Sequence, residues 1–425
     1  MAPPPPPSSL SFSVRRCKPE LLTPAKPMPR ELKQLSDVDD QQGHRCHIRI
    51  IMFYKNRIKE TEHHHHHHVD PVSVIREAMA KALVVYYPLA GRLIEKPNKE
   101  LTMDCTGQGI LLVEADANVS LDQLGDFVRP SCPYAKEFLY DVPGPGGITE
   151  CPLLLVHITC LSCGGFVLVI RLNHAVSDEL GLVQFLKATA DMAKGSSSSP
   201  PRPVWQRELL KAREPPQITC ALHHQYEDSG DHQSTTSMDM SDNNDTLHQS
   251  FFFGTKQRTA IFNHLPPPHL FHSSSTLQVL TKLLWSNRCR TIALQIDPNE
   301  TVWVTFMVDV RGKPGLNLPP GYYGNSSVSP AAVSNAEMLC KNPLEYAAEL
   351  VKIVSGRFLE VDCGWGKLRY GGPTGTSFSS PYALFRNGDG EDGIVVPICL
   401  PVAAMERFKV ELWRMTPGLM GIHML

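Results

Sequence analysis

No apolar run in this 425-residue chain comes near the roughly 20 residues that a membrane-spanning helix needs, so no membrane partner is expected. The opening stretch, MAPPPPPSSLSFSV, has neither an early positive charge nor an apolar core and is not read as a secretory signal. There is no P-loop and no G-x-S-x-G elbow, which counts against nucleotide-driven chemistry and serine hydrolysis. An excess of one charge is missing as well. The 41 Lys and Arg stand against 43 Asp and Glu, a net charge of −2, so no nucleic-acid partner is expected. Cys160 and Cys163 form a C-x-x-C with no second pair at zinc-finger spacing, and they read as hairpin cysteines. The six histidines His63 to His68 offer imidazoles that suit a transition metal, but a bare run sets no ligand geometry. They read as a repeat or an appended sequence in a surface loop, and no metal is assigned.

What is present is an ordinary globular composition, 42% hydrophobic and 20% charged, at a length that suits two domains. The twelve cysteines lie mostly in apolar segments and read as reduced thiols, which implies a cytoplasmic location. The N-x-S/T triplets at Asn118, Asn244, Asn299 and Asn325 then carry no glycan. Residues 1–10 read as a flexible Pro/Ser tail, 11–195 as a first domain, 196–249 as a long polar crossover and 250–425 as a second domain. In the first domain Ser11 to Arg16 alternates like an edge strand, and Ile48 to Tyr54, Glu100 to Asp104 and Gly109 to Ala115 read as further strands. Val72 to Leu83 has the 3.6-residue periodicity of an amphipathic helix, with Pro71 suited to its first turn. In the second domain, strands are expected at Ser250 to Phe253, Thr301 to Val310 and Ile394 to Leu400. Helices are expected at Thr276 to Trp285, Pro343 to Ser355 and Ala403 to Trp413, and a turn at Gly321 to Asn325. Both halves mix strands and helices, a mixed α/β class.

One stretch carries chemistry. Phe166 to Ile170 is a continuous apolar run, read as a buried strand that pairs with Leu153 to Thr159 and ends at Asn173 and His174. Leu182, Phe185, Leu186 and Ala190 then recur at helical spacing up to Lys194 and Gly195. His174 sits where the strand stops, and Asp178 where the helix is about to start. Imidazole is the side chain best suited to taking a proton near neutral pH. The spacing alone says little, because His-x-x-x-Asp also occurs at His66/Asp70 and His224/Asp228. On the residues alone, a histidine merely satisfied by hydrogen bonds at a strand end is an equal reading.

Several segments together resemble one family. HAVSD (174–178) resembles the H-x-x-x-D motif of the BAHD plant acyltransferases, and DCGWG (362–366) their D-F-G-W-G motif. LSDVDDQ (35–41), YYPLAGRL (86–93), LPPGYYGN (318–325), CKNPLEYA (340–347) and GIVVPICLP (393–401) resemble it too, over nearly the whole chain after the tail. The nearest group is the alcohol acyltransferases of the benzyl alcohol O-benzoyltransferase and methanol O-anthraniloyltransferase type. The resemblance implies two similar chloramphenicol-acetyltransferase-like domains with an active-site channel between them. It implies an acyl group (benzoyl, acetyl or similar) passed from acyl-coenzyme A, a co-substrate rather than a bound cofactor, to a small alcohol. His174 would be the general base. Asp178 would orient it and pair with an arginine, for which Arg311 in VDVRGK is the candidate by motif position. Asp362, counted with the catalytic residues, and Gly364, Trp365 and Gly366 would shape the coenzyme A side. A monomer is implied.

This chain departs from the family pattern in carrying Cys363 for the usual Phe, Glu179 after the aspartate, and a missing segment near 356–360. Two alternatives to turnover therefore stay open: a folded relative that binds without catalysing, and a chain made unstable by the shortening.

Overall fold

The computed structural model describes residues 10–55, 70–128, 132, 134–140, 147–195, 202–212, 214–215, 246–262, 290–292, 294–305, 308–312, 316–328, 331–342, 368–373, 383–386 and 391–415. His63 to His68, Asp362 to Gly366, the 356–360 stretch and the expected helices at Thr276 to Trp285 and Pro343 to Ser355 lie outside them.

Among the described residues the first half supplies nine strands: β1 (Val14–Arg16), β2 (Glu20–Leu22), β3 (Leu32–Gln34), β4 (His47–Tyr54), β5 (Arg92–Glu95), β6 (Leu101–Asp104), β7 (Ile110–Ala117), β8 (Leu154–Leu161) and β9 (Phe166–Asn173). The second half adds β10 (Thr246–Phe253), β11 (Thr301–Thr305), β12 (Val308–Asp309), β13 (Ser327–Val328), β14 (Ala331–Asn335), β15 (Leu368–Pro373), β16 (Ala383–Arg386) and β17 (Asp392–Pro401). The longer helices are α1 (Pro71–Val85), α2 (Glu179–Ala193) and α3 (Val402–Met415).

The main sheet runs β1-β7-β8-β9-β4-β15, with β2 also on β7. β8 and β9 form the expected antiparallel hairpin, from Leu154↔Leu172 to Cys160↔Phe166. The unbroken apolar run of β9 has a direct cause, since both faces of the sheet are covered. Phe166, Leu168, Ile170 and Leu172 pack with Met79 and Leu83 of α1 and Phe185 and Leu186 of α2. Val167 and Val169 face the other way, against Leu121, Leu124, Phe138, and Phe252 and Val395 of the second half. α1 starts where Asp70 accepts hydrogen bonds from the Val72 and Ser73 N–H groups, with Pro71 at its first turn. Its buried positions, Val72, Ile75, Ala78, Met79, Ala82 and Leu83, are the periodic set read from the sequence.

Three features differ from the sequence reading. The stretch Thr301 to Val310 is two strands with different partners, β11 on β14 and β12 on β13. β10 begins at Thr246 rather than Ser250, because β17 runs on to Pro401 and offers its polar first half a ladder partner, Thr246↔Pro401. And β15, from the second half, adds to the first-half sheet beside β4, with Gly372 opposite Ile51. Among the described residues no helix is long and apolar enough to cross a membrane.

Candidate active site

The His174 loop is set by the end of β9. The Asn173 amide gives a hydrogen bond to the Ile148 carbonyl at 2.7 Å, and its oxygen accepts from the Ala175 N–H at 3.2 Å. Residues 174–176 turn, and α2 starts directly after Asp178. Asp178 caps that helix by accepting from the Gly181 N–H at 2.9 Å.

The imidazole of His174 is not hydrogen-bonded to Asp178. Its Nδ1 lies 3.3 Å from the Ser177 carbonyl oxygen. A carbonyl can only accept, so Nδ1 carries the proton and the lone pair stays on Nε2. The ring is half-buried, while Ala175, Val176, Ser177 and Asp178 after it are buried. The backbone of His174 is clamped on both sides. Its N–H donates to the Cys46 carbonyl at 2.9 Å, and its carbonyl accepts from Asn325 Nδ2 at 2.7 Å.

Two charged centres hold this loop. In the first, Arg311 Nη2 donates to Asp178 Oδ1 at 2.8 Å, and the Ser326 N–H donates to Asp178 Oδ2 at 3.1 Å. Arg311 also pairs with Asp309 at 2.9 Å and gives N–H groups to the Tyr322 and Gly324 carbonyls. In the second, buried Asp39 accepts from both the backbone N–H and the side-chain amide of Asn325, at 3.0 and 2.9 Å. Arg207, 1% exposed, lies 3.4 Å from Asp39 Oδ2 and donates to the Val176 carbonyl at 2.9 Å. Its guanidinium is covered by the Trp205, Tyr322 and Tyr323 rings, 4.3 to 5.1 Å from their centroids, a setting that suits a buried cation.

Residues 321–325, expected as a turn, form with Ser326 a largely buried strap across the loop. Ser177 Oγ donates to the Tyr323 carbonyl at 2.7 Å, and Gln184 to that of Gly321 at 2.8 Å. Glycine makes the approach possible, since a Cβ on Gly181 would sit 2.1 Å from the Tyr323 oxygen, and one on Gly324 1.0 Å from Arg207 Nη1. Burial, with the Asp178 charge beside it, pushes the Glu179 carboxyl up to about 7.

Of the residues read from the sequence, His174, Asp178 and Arg311 come together here. Asp362, Gly364, Trp365 and Gly366 lie outside the described residues. Asp39 and Asn325 were legible only as parts of LSDVDDQ and LPPGYYGN, with no role attached. Arg207, in the segment read as a crossover, had no signal at all. Among the described residues no group of three His, Cys, Asp or Glu side chains is arranged to hold a metal ion.

The arrangement can present an imidazole, with Nδ1 on the Ser177 carbonyl and the other nitrogen left over, from a loop held by buried ion pairs. Comparison with known proteins places the chain in a family. The model of the family described as "Transferase family" matches residues 12–357. Benzyl alcohol O-benzoyltransferase of Petunia hybrida is 47% identical over 453 aligned residues, covering 97% of this chain and 95% of that protein. The crystal structure of vinorine synthase superposes with a TM-score of 0.68 at 20% identity, over 95% of this chain and 98% of that one. F. sporotrichioides TRI101, solved with coenzyme A and T-2, gives 0.63 at 15% identity, over 89% and 97%. These two likenesses show the fold, the mixed α/β, chloramphenicol-acetyltransferase-like arrangement. With its family match and its near-half identity to a curated member over almost its full length, the chain belongs to the BAHD acyltransferase family.

Proposed function

We propose that this chain transfers an acyl group, of the benzoyl or acetyl kind, from acyl-coenzyme A to a small alcohol, with His174 as general base. The observation that carries the reading is the His174 imidazole, with Nδ1 committed to the Ser177 carbonyl and Nε2 left to accept a proton. The petunia relative named for benzoyl transfer to benzyl alcohol and the coenzyme A in the TRI101 structure support the substrate pair.

In the proposed reaction Nε2 takes the hydroxyl proton as the alcohol oxygen attacks the thioester carbonyl carbon. The tetrahedral intermediate collapses, the C–S bond breaks, and the imidazolium returns the proton to the departing thiolate. The products are an ester and free coenzyme A, and no acyl-enzyme forms. Asp178 and Arg311 keep the loop in place and exchange no proton, which fits their hydrogen bonds to backbone and to each other. Asp362, with Gly364, Trp365 and Gly366, shapes the coenzyme A side. The working unit is a cytoplasmic monomer of two similar domains, 11–195 and 250–425, joined by the 196–249 crossover, with both substrates meeting in the channel between them.

The test is acceptor-dependent release of the coenzyme A thiol. His174→Ala is expected to lower kcat by roughly two to four powers of ten with an unchanged unfolding midpoint. Turnover within a few-fold of the parent overturns the assignment. A second reading, binding without turnover, is favoured by one observation: the family match stops at residue 357, beside the 356–360 stretch read from the sequence as shortened. That reading predicts an unfolding transition raised by coenzyme A, about 2.7 kcal/mol at a hundred times Kd, with no acceptor-dependent thiol release.

A further inference from the structure

A second histidine lies against the first. His44 closes a short 3₁₀ turn, Gln42–His44, and its ring centroid is 4.4 Å from that of His174, with 36° between the planes. Its Nδ1 lies 2.6 Å from the Val38 carbonyl oxygen. That oxygen can only accept, so the proton sits on Nδ1, as in His174, and the Nε2 lone pair is left over. The backbones are coupled as well. The Cys46 N–H donates to the His44 carbonyl at 2.8 Å, and the Cys46 carbonyl accepts from the His174 N–H at 2.9 Å. Cys46 thus ties the backbones of the two histidines together.

The surroundings make His44 reluctant to take a charge. Burial comes first and the neighbouring His174 second in holding its pKa below the usual histidine value, against the carboxylates of Asp39 and Asp178. Those are the charged and titratable groups that face it: His174 from the loop after β9, Asp178 from the start of α2, and Asp39 from its own segment. Arg45 beside it is turned to Asp40 and Glu95. At neutral pH His44 is thus an uncharged ring whose π face lies against the imidazole that must become positive during transfer. A cation is stabilised over such a face when water is partly excluded.

Resting on the assignment of His174 as general base, we propose that His44 is a positioning residue for the transfer. Its neutral ring braces His174 and favours the imidazolium formed in the reaction, and its protonation in acid places a second positive ring there and shuts the site off. The second half rests on charge, since a positive ring 4.4 Å away disfavours the imidazolium that His174 forms in the reaction.

The test is the pH dependence of kcat/KM in the intact chain, with His44→Phe, His44→Ala and His174→Ala. The parent is expected to lose activity in acid with a slope that steepens above one only as His44, whose pKa is held down by burial and by its neighbour, takes its proton. His44→Phe keeps a ring face without a titrating group, so its acid slope falls to one while kcat stays within about 2-fold. His44→Ala loses the face too, and its kcat falls roughly 3- to 10-fold, with KM for the acyl donor unchanged. Parent-like kcat and acid limb in both His44 variants while His174→Ala is inactive overturn the proposal and leave the His174 assignment standing. Turnover retained in His174→Ala overturns the assignment and the proposal together.

Discussion

Replacing Arg311 with methionine strands a buried carboxylate. The Asp178 side chain is 3% exposed and the Arg311 side chain 19%. After the change Asp178 keeps its hydrogen bonds from the Gly181 and Ser326 N–H groups, but the charge that balances it is gone. Removing one partner of a buried ion pair costs about 3 to 5 kcal/mol. The partial exposure of Arg311 and the two remaining donors place this case at the lower end, about 3 kcal/mol. The Tyr322 and Gly324 carbonyls lose their donor at the same time. Urea unfolding reads the loss as a lowered midpoint with an unchanged slope. Because Asp178 caps α2 and closes the loop that carries His174, kcat/KM falls as well. Asp178→Asn in the same chain removes the stranded charge, so the double variant regains at least about 1 kcal/mol over the sum of the single losses. A loss below about 1 kcal/mol in Arg311→Met, the range of a solvated surface pair, refutes the reasoning.

Gly181→Ala drives a methyl against the Tyr323 carbonyl and Ser177 Oγ, so it is expected to cost about 1 to 3 kcal/mol by overpacking and to lower the melting temperature; an unchanged melting temperature refutes the close approach. His157 is fully buried, and burial, with Arg16 adding to it, holds its imidazole down to about 4 from an ordinary 6.5. The unfolded chain therefore takes up a proton between those values that the folded chain does not. This contribution is whole above pH 6.5, is lost as pH falls toward 4, and amounts to about 3 kcal/mol in all. Unfolding free energies measured from pH 7 to pH 4.5 show that loss in the parent and not in His157→Gln; equal slopes in the two would refute it.

Local patterning was enough to place the element that matters most. An apolar run followed by helical spacing located β9 and α2, and hence put His174 and Asp178 at a strand-to-helix junction. Pro71 marked the start of α1 for the same reason: helix ends and two-sided strands are set by neighbours a few residues away. The places where the reading slipped are those where a distant partner decided. Thr246 to Gln249 look like loop, and they become strand because β17 is long enough to pair with them.

The sequence by itself marked a first set of candidate residues. It carried a histidine in the motif, an aspartate four residues on, an arginine in VDVRGK and two glycine-bearing segments that no local pattern explains. The tertiary structure decided which of them meet. Arg311 reaches Asp178 across 133 positions, Asn325 reaches Asp39 across 286, and Arg207 enters the site from the crossover. The structure also decided that Asp178 holds the loop and leaves the His174 tautomer to the Ser177 carbonyl, and that a second imidazole lies against the first. The physical reason is range. Periodicity records which face of a single element is buried, whereas buried ion pairs and backbone clamps join segments whose separation along the chain leaves no periodic trace.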